Sequence, residues 1–384
     1  MKQTLSAHSP LLMKKLYRLI RYKNERRKFS REWSIKKEQD RLLKENFDLQ
    51  GSKLILFIIP GSDWATGKDK ITGGTISVVS ICEETAKLRD QHNAQTLMCT
   101  LNGDHLFLKH QMFENETMVF RFEQMAANFK GVKEVLIHLP EFLTEYWIPS
   151  LTHQDQRWFD QMNRVHVNIM NQNIQYMPSP ETILSIRDWC DEVTITTAHQ
   201  KYCTASYRQQ FGVPIHKFSV WISPEGYQFR NWKDKQNLLV VSPDAHPLKE
   251  AVLQKLQNIP GLEIRIIKNL TYTEYKALIA KAKWSLTFGE GLDGYLIEPV
   301  FSGAIGFAVY NESFFTPDFS IFETIYPSYE KLSESICGDI ERLDNASEFK
   351  PYQQEQFNLC AKYYSKEQYR KNIMSFYRGE YTFN

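Results

Sequence analysis

Ser285-Leu-Thr-Phe-Gly-Glu-Gly-Leu-Asp-Gly-Tyr-Leu-Ile-Glu-Pro-Val-Phe-Ser-Gly-Ala-Ile-Gly-Phe-Ala-Val309 is the stretch on which the reading of the fold turns. It reads as a buried strand running into a glycine-bearing turn at Gly289, Gly291 and Gly294. A helix over 295–302 and a strand over 304–310 follow. A strand that enters a helix through such a turn aims the helix's first backbone N–H groups outward, and the helix dipole adds positive potential. That combination suits a diphosphate. Glu290 lies in the turn, and Glu298, with seven residues between them, falls in the first turns of the helix, where it can accept from sugar hydroxyls. Spacing alone fits a loop glycine cluster with two solvated glutamates equally well.

Outward from this stretch the same alternation repeats. Upstream, the spacing predicts strands over 237–242, 262–268 and 283–288, with helices over 247–258 and 271–282 between them. Periodicity stops around Trp221 to Asp234, where Pro224 and Gly226 punctuate it, and this reads as a linker. Before it, strands are expected over 53–59, 95–101, 117–121, 134–139, 164–170 and 192–197, with helices between most of them. Such alternation means mostly parallel sheets covered on both faces. The expected organisation is therefore α/β: a helical arm over 1–50, a Rossmann-like domain over 51–222, a linker over 223–235, a second Rossmann-like domain over 236–354 and a helical segment over 355–384. The cleft between the domains is the natural ligand site.

Composition agrees with a globular chain: 384 residues, 42% hydrophobic and 24% charged. The longest apolar run, Leu54 to Ile59, is far short of the roughly 20 residues a membrane-spanning helix needs. The basic pair Lys14 and Lys15 cuts short any secretory signal. Six scattered cysteines without a C-x-x-C pair suggest reduced thiols in a cytoplasmic protein. Charge is uneven. Residues 11–40 carry eleven Lys/Arg against four Asp/Glu, a net of +7, and with Lys2 this leaves residues 41–384 at −6. Leu12, Leu16, Leu19 and Ile20 form one apolar stripe on this basic arm.

The Glu290–Glu298 segment resembles the E-x7-E region of retaining GT-B glycosyltransferases of the glycogen-synthase-like group, which includes bacterial polysaccharide enzymes. Weaker similarity extends over about residues 51–310: Pro60 to Gly74, Val193 to Gln200, Phe211-Gly-Val-Pro214 and Leu238 to Lys249. The resemblance implies a GT-B fold, retention and no metal, with the nucleotide-sugar a substrate rather than a cofactor. It implies that Glu298 binds the donor's ribose and that Glu290, Gly291, Leu292, Asp293 and Gly294 meet the donor sugar. Lys249 would neutralise the departing diphosphate, and Gly73 and Gly74 would let the first loop approach the donor. His138, at a strand end, would line the donor-sugar pocket; a histidine satisfied by backbone fits that position as well. Departures exist. Ser242 and Pro243 occupy the neighbourhood where the group carries an arginine, with His246 as a substitute cation. Pro299, Ile305 and Ser223-Pro-Glu-Gly226 also differ from the group's pattern.

The expected activity is transfer of a hexosyl or deoxyhexosyl unit to a polysaccharide, such as capsule or lipopolysaccharide, or to a lipid-linked glycan. The alternative is a non-catalytic nucleotide-sugar or glycan-binding subunit assisting a partner transferase, which the missing arginine motivates. Residues 9–46 are expected to dock on the anionic inner face of the plasma membrane; a helix packed on the body, or a homodimer contact, is the alternative. A nucleic-acid partner is not expected, since the body is acidic and the arm has few aromatics. His199, Lys201 and Tyr202 fit a helix start better than a site, and His153 and His166 carry no spacing signal.

Overall fold

The computed structural model describes residues 22–60, 73–101 and 118–384. The stripe Leu12 to Ile20 and residues 61–72 of the first loop lie outside them.

The chain enters through helix α1 (Lys23–Asn46). The first domain then alternates β1 (Lys53–Ile59), α2 (Gly73–Ala86), β2 (Gln95–Thr100), β3 (Val119–Arg121), α3 (Phe122–Asn128), β4 (Glu134–Pro140), α4 (Thr144–Ser150), α5 (His153–Phe159), β5 (Arg164–Asn171), α6 (Pro180–Arg187), β6 (Glu192–Thr197), α7 (Ala205–Phe211) and β7 (Ile215–Lys217). The strands make one parallel sheet of order β3-β2-β1-β4-β5-β6-β7. β1, Lys-Leu-Ile-Leu-Phe-Ile-Ile, is buried along nearly its whole length because helices cover both faces.

The second domain holds β8 (Gln236–Val241), α8 (Lys249–Leu256), β9 (Glu263–Ile266), α9 (Tyr272–Lys281), β10 (Ala282–Leu286), α10 (Gly294–Phe301), β11 (Ile305–Val309), β12 (Ile325–Tyr326), α11 (Tyr329–Leu343) and α12 (Ala346–Tyr363). Its sheet is also parallel, of order β12-β11-β10-β8-β9. The short edge strands β7 and β12 do not show in the alternation of the sequence.

Strand order reverses between β1 and β4 in the first sheet, and between β8 and β10 in the second. Ligands of doubly wound sheets sit beyond the carboxyl ends of the strands at such points. The loops after β4 and β10 stand at these points.

α12 stays on the second domain, where Cys360 and Tyr364 join the cluster of Leu296, Phe301 and Phe315. The expected boundary at 354/355 falls inside this helix. Only at Ser365, whose hydroxyl caps α13 (Lys366–Tyr377), does the chain return to the first domain. There Tyr369, Ile373 and Phe376 complete a core with Ile55, Phe57, Val79 and Met170. Among the described residues no helix is long and apolar enough to cross a membrane.

Candidate active site

The turn between β10 and α10 has the geometry its glycines require. Gly291 takes φ +86°, and a Cβ there would lie 2.5 Å from Phe315 and 2.7 Å from the Val309 carbonyl oxygen. A Cβ on Gly294 would meet Glu298 Oε1 at 2.6 Å. Asp293 caps α10: Oδ1 accepts from Leu296 N–H at 3.2 Å and Oδ2 from the Thr287 hydroxyl at 2.8 Å. Burial, against the Thr287 hydrogen bond, pushes the Asp293 carboxyl up to about 7. Leu292 packs inward with Leu296 and Phe314 and lines one cavity with His199 of the first domain.

Facing this turn is the loop after β8. Lys249 opens α8, but its ammonium folds back and donates to the Ser242 and Asp244 carbonyls at 2.6 and 2.7 Å. Two of its three N–H donors are thus spent closing the loop, which leaves one for a ligand. Burial lowers its pKa, and the Asp244 charge partly offsets this. His246, expected as a substitute cation, has a structural part. Its ring lies 3.6 Å from that of Tyr329, stacked at 22°, and its Nδ1 accepts from Leu248 N–H.

Glu298 is 4% exposed and encased in tyrosines. Tyr272 donates to its Oε2 at 3.2 Å, the Tyr227 hydroxyl reaches the same carboxyl and stands 2.9 Å from Tyr272, and Trp221 Nε1 donates to Tyr272. Burial pushes this carboxyl up to about 8. It is an acid held inside the domain by aromatic hydroxyls rather than an open carboxylate.

Glu290 reaches across to the other domain, where its Oε1 accepts from Asn173 Nδ2. Asn173 also donates its backbone N–H to Glu141 Oε1 at 2.9 Å. One asparagine after β5 therefore joins a carboxyl after β4 to a carboxyl after β10. Burial pushes both carboxyls up to about 7, partly opposed at each by the hydrogen bond from Asn173.

Of the expected residues, Glu290, Leu292, Asp293, Gly291, Gly294 and Lys249 come together, with Glu298 immediately beneath. Gly73 and Gly74 form the first turn of α2. His138 does not reach the cleft. It is fully buried, stacked 4.2 Å from Phe57, its Nδ1 bonded to Asn168 and its Nε2 to the Tyr377 hydroxyl. α13 covers it, which the order of residues around β4 could not reveal. Sequence reading passed over Glu141, Asn173, Asp244 and Tyr272. Glu141 had a legible signal, because it stands immediately past a buried parallel strand.

No protein-family model matches the chain, and no curated protein matches it in sequence. Solved structures do match its fold. Sucrose-phosphate synthase from Thermosynechococcus elongatus superposes with a TM-score of 0.54 at 10% identity, over 85% of this chain and 98% of that one. A glycosyltransferase from Rickettsia africae gives 0.52 at 11%, over 86% and 98%. HepE from Anabaena, solved with UDP-glucose, gives 0.50 at 8%, over 85% and 99%. These likenesses, with two parallel sheets facing across one cleft, define the class: the chain has the GT-B fold.

Proposed function

We propose that the chain is a glycosyltransferase that moves a hexosyl or deoxyhexosyl unit from a nucleotide-sugar, with retention and without a metal, to a cell-surface polysaccharide or lipid-linked glycan. One observation carries this reading: the Gly289–Gly294 turn and the head of α10 stand at the strand-order switch of the second sheet, opposite the first domain's own switch. As the bond from the sugar's anomeric carbon to the diphosphate breaks, negative charge grows on the diphosphate. The outward N–H groups of the turn and the free hydrogen of Lys249 would meet it with fixed positive potential. The Glu290 carboxyl would hold a sugar hydroxyl, taking over from Asn173. The fold likeness to HepE, solved with UDP-glucose, supports the choice of donor class.

The test is a donor screen that follows nucleotide diphosphate release, with and without EDTA. EDTA should leave the rate unchanged. Lys249→Ala should lower turnover about 10²–10³-fold, as removal of one such donor does. If Lys249→Ala and Glu298→Ala both turn over at the parental rate, the assignment fails.

A second reading has its own observation: carboxyls crowd the turn (Asp244, Glu290, Asp293), while Lys249 is tied to two carbonyls. It makes the chain a non-catalytic nucleotide-sugar or glycan-binding subunit of a partner transferase. Calorimetry with nucleotide diphosphates separates the two, since tight binding without turnover on any acceptor favours the subunit.

We also infer that residues 9–46 hold the protein on an anionic inner-membrane surface, where lipid-linked acceptors reside. In support, Phe29 and Trp33 on α1, and Tyr22 just before it, are exposed beside Lys23, Arg26 and Lys37, with the Lys37 ammonium 5.4 Å from the Trp33 ring. Further along the helix Gln39 and Leu43 are buried against the body. Liposome co-sedimentation decides it. Binding should need anionic lipid, fade at high salt and drop in Trp33→Ala; equal pelleting with neutral lipid excludes docking.

A further inference from the structure

At the carboxyl edge of the first sheet, Asn171 and Glu141 hold polar atoms that nothing in the fold satisfies. Asn171 ends β5 and is 2% exposed, yet neither its Nδ2 nor its Oδ1 has a hydrogen-bond partner. Glu141 follows β4 and is likewise 2% exposed; its Oε1 is bonded to Asn173, and its Oε2 has no partner. The two are neighbours, because Pro140 pairs with Met170 in the register of β4 and β5. Buried polar groups are almost always paired, so three unpaired atoms at one point of one edge call for an occupant. Elsewhere in the same sheet Thr96, Arg121 and Thr197 each leave a single polar atom unpaired, so the clustering of three at Asn171 and Glu141 is what stands out. Asn168, on the opposite face three residues earlier, bonds to His138, Thr194 and Thr196.

We propose that Asn171 and Glu141 form a subsite for the adjacent hydroxyls of a sugar ring on the first domain's wall of the cleft. An amide presents a donor and an acceptor side by side, and each of two neighbouring hydroxyls can donate and accept, so the pair matches without a charge. The Glu141 carboxyl, which burial holds up near 7, accepts or donates as the ring requires. The subsite adjoins Glu290 through Asn173, the residue that touches both carboxyls. A sugar enters by parting the Asn173–Glu290 contact. This rests on the transferase reading for its purpose, though not for its chemistry: the ring belongs to the donor or to the acceptor.

Saturation-transfer NMR of the full chain with D-glucose, D-galactose, N-acetyl-D-glucosamine and L-rhamnose in turn tests it. At least one sugar should receive saturation from the parental protein, and Asn171→Leu and Glu141→Leu should cut that signal at least fivefold. Asn171→Leu should keep or raise the melting temperature, because it removes unpaired polar atoms while keeping the branched shape and the number of side-chain heavy atoms. No sugar signal, an undiminished signal in both variants, or a lower melting temperature of Asn171→Leu would each overturn the subsite. Loss of the signal under saturating UDP-glucose or GDP-mannose assigns the ring to the donor, and persistence assigns it to the acceptor; both uphold the subsite. Titration with UDP and GDP judges the transferase reading separately. Nucleotide affinity without an Asn171-dependent sugar signal sinks the subsite alone, and the reverse pattern sinks the transferase alone.

Discussion

Lowering the pH from 7.5 to 5 should loosen α13 from the first domain. The helix lies on histidines that burial keeps neutral. His166 stacks 6.0 Å from Phe376, His138 bonds to the Tyr377 hydroxyl at 2.9 Å, His216 Nε2 bonds to the Asn372 carbonyl at 2.7 Å, and His92 lies 5.1 Å from Tyr377. Burial lowers the pKa of all four, that of His166 from 6.5 to about 4, although Glu192 pulls it upward while Arg164 and Lys53 push it down. The docked state thus binds fewer protons than the released one. Stability is intact above pH 6.5 and is lost as the pH falls toward 4. At pH 5 the His166 shift alone removes about 2 kcal/mol of docking free energy, or about thirtyfold in the opening equilibrium. The other three histidines act in the same direction. Hydrogen exchange of peptides covering 366–384, corrected for the intrinsic rate, reads this opening. Protection that stays flat from pH 7.5 to 5, or a loss undiminished in His166→Gln, would refute the reasoning.

Three further outcomes follow from the site. Nucleotide diphosphate affinity should fall about tenfold or more between pH 6 and 9, because the Glu290 and Asp293 carboxyls near 7 and the Glu298 carboxyl near 8 ionise beside the anion; calorimetry across that range checks the sign. Gly291→Ala should cost about 1–3 kcal/mol in urea unfolding, from a left-handed φ and a Cβ pressed on Phe315 and Val309. Gly294→Ala places its Cβ against Glu298 Oε1, so tyrosine fluorescence near Tyr227 and Tyr272 should change while far-UV circular dichroism does not.

Much of the architecture was legible because it rests on short-range rules. Buried parallel strands announce themselves as apolar runs such as Leu54–Ile59, and the turn at Gly289–Gly294 as glycines between a strand and a helix. The two-residue strand β12 and three-residue β7 escaped, because so few residues carry no period. The linear sequence likewise brought Glu290, Asp293 and Lys249 to one place, since each follows a strand of the same sheet at its switch point.

Which groups meet was decided by contacts distant along the chain. His138 reads as a ligand residue until Tyr377, 239 positions later, closes over it. Glu290 finds Asn173 117 positions away, and Glu298 finds Tyr272 26 positions away. Lys249, a phosphate cation by position, spends two hydrogens on the carbonyls of its own loop. Near neighbours along the chain set the succession of all but the shortest strands and the place of the glycine turn, because backbone conformation depends on them. Burial and hydrogen-bond partners depend on surfaces that exist only once the domains and α13 have packed, so the protonation and reach of each site residue belong to the tertiary structure alone.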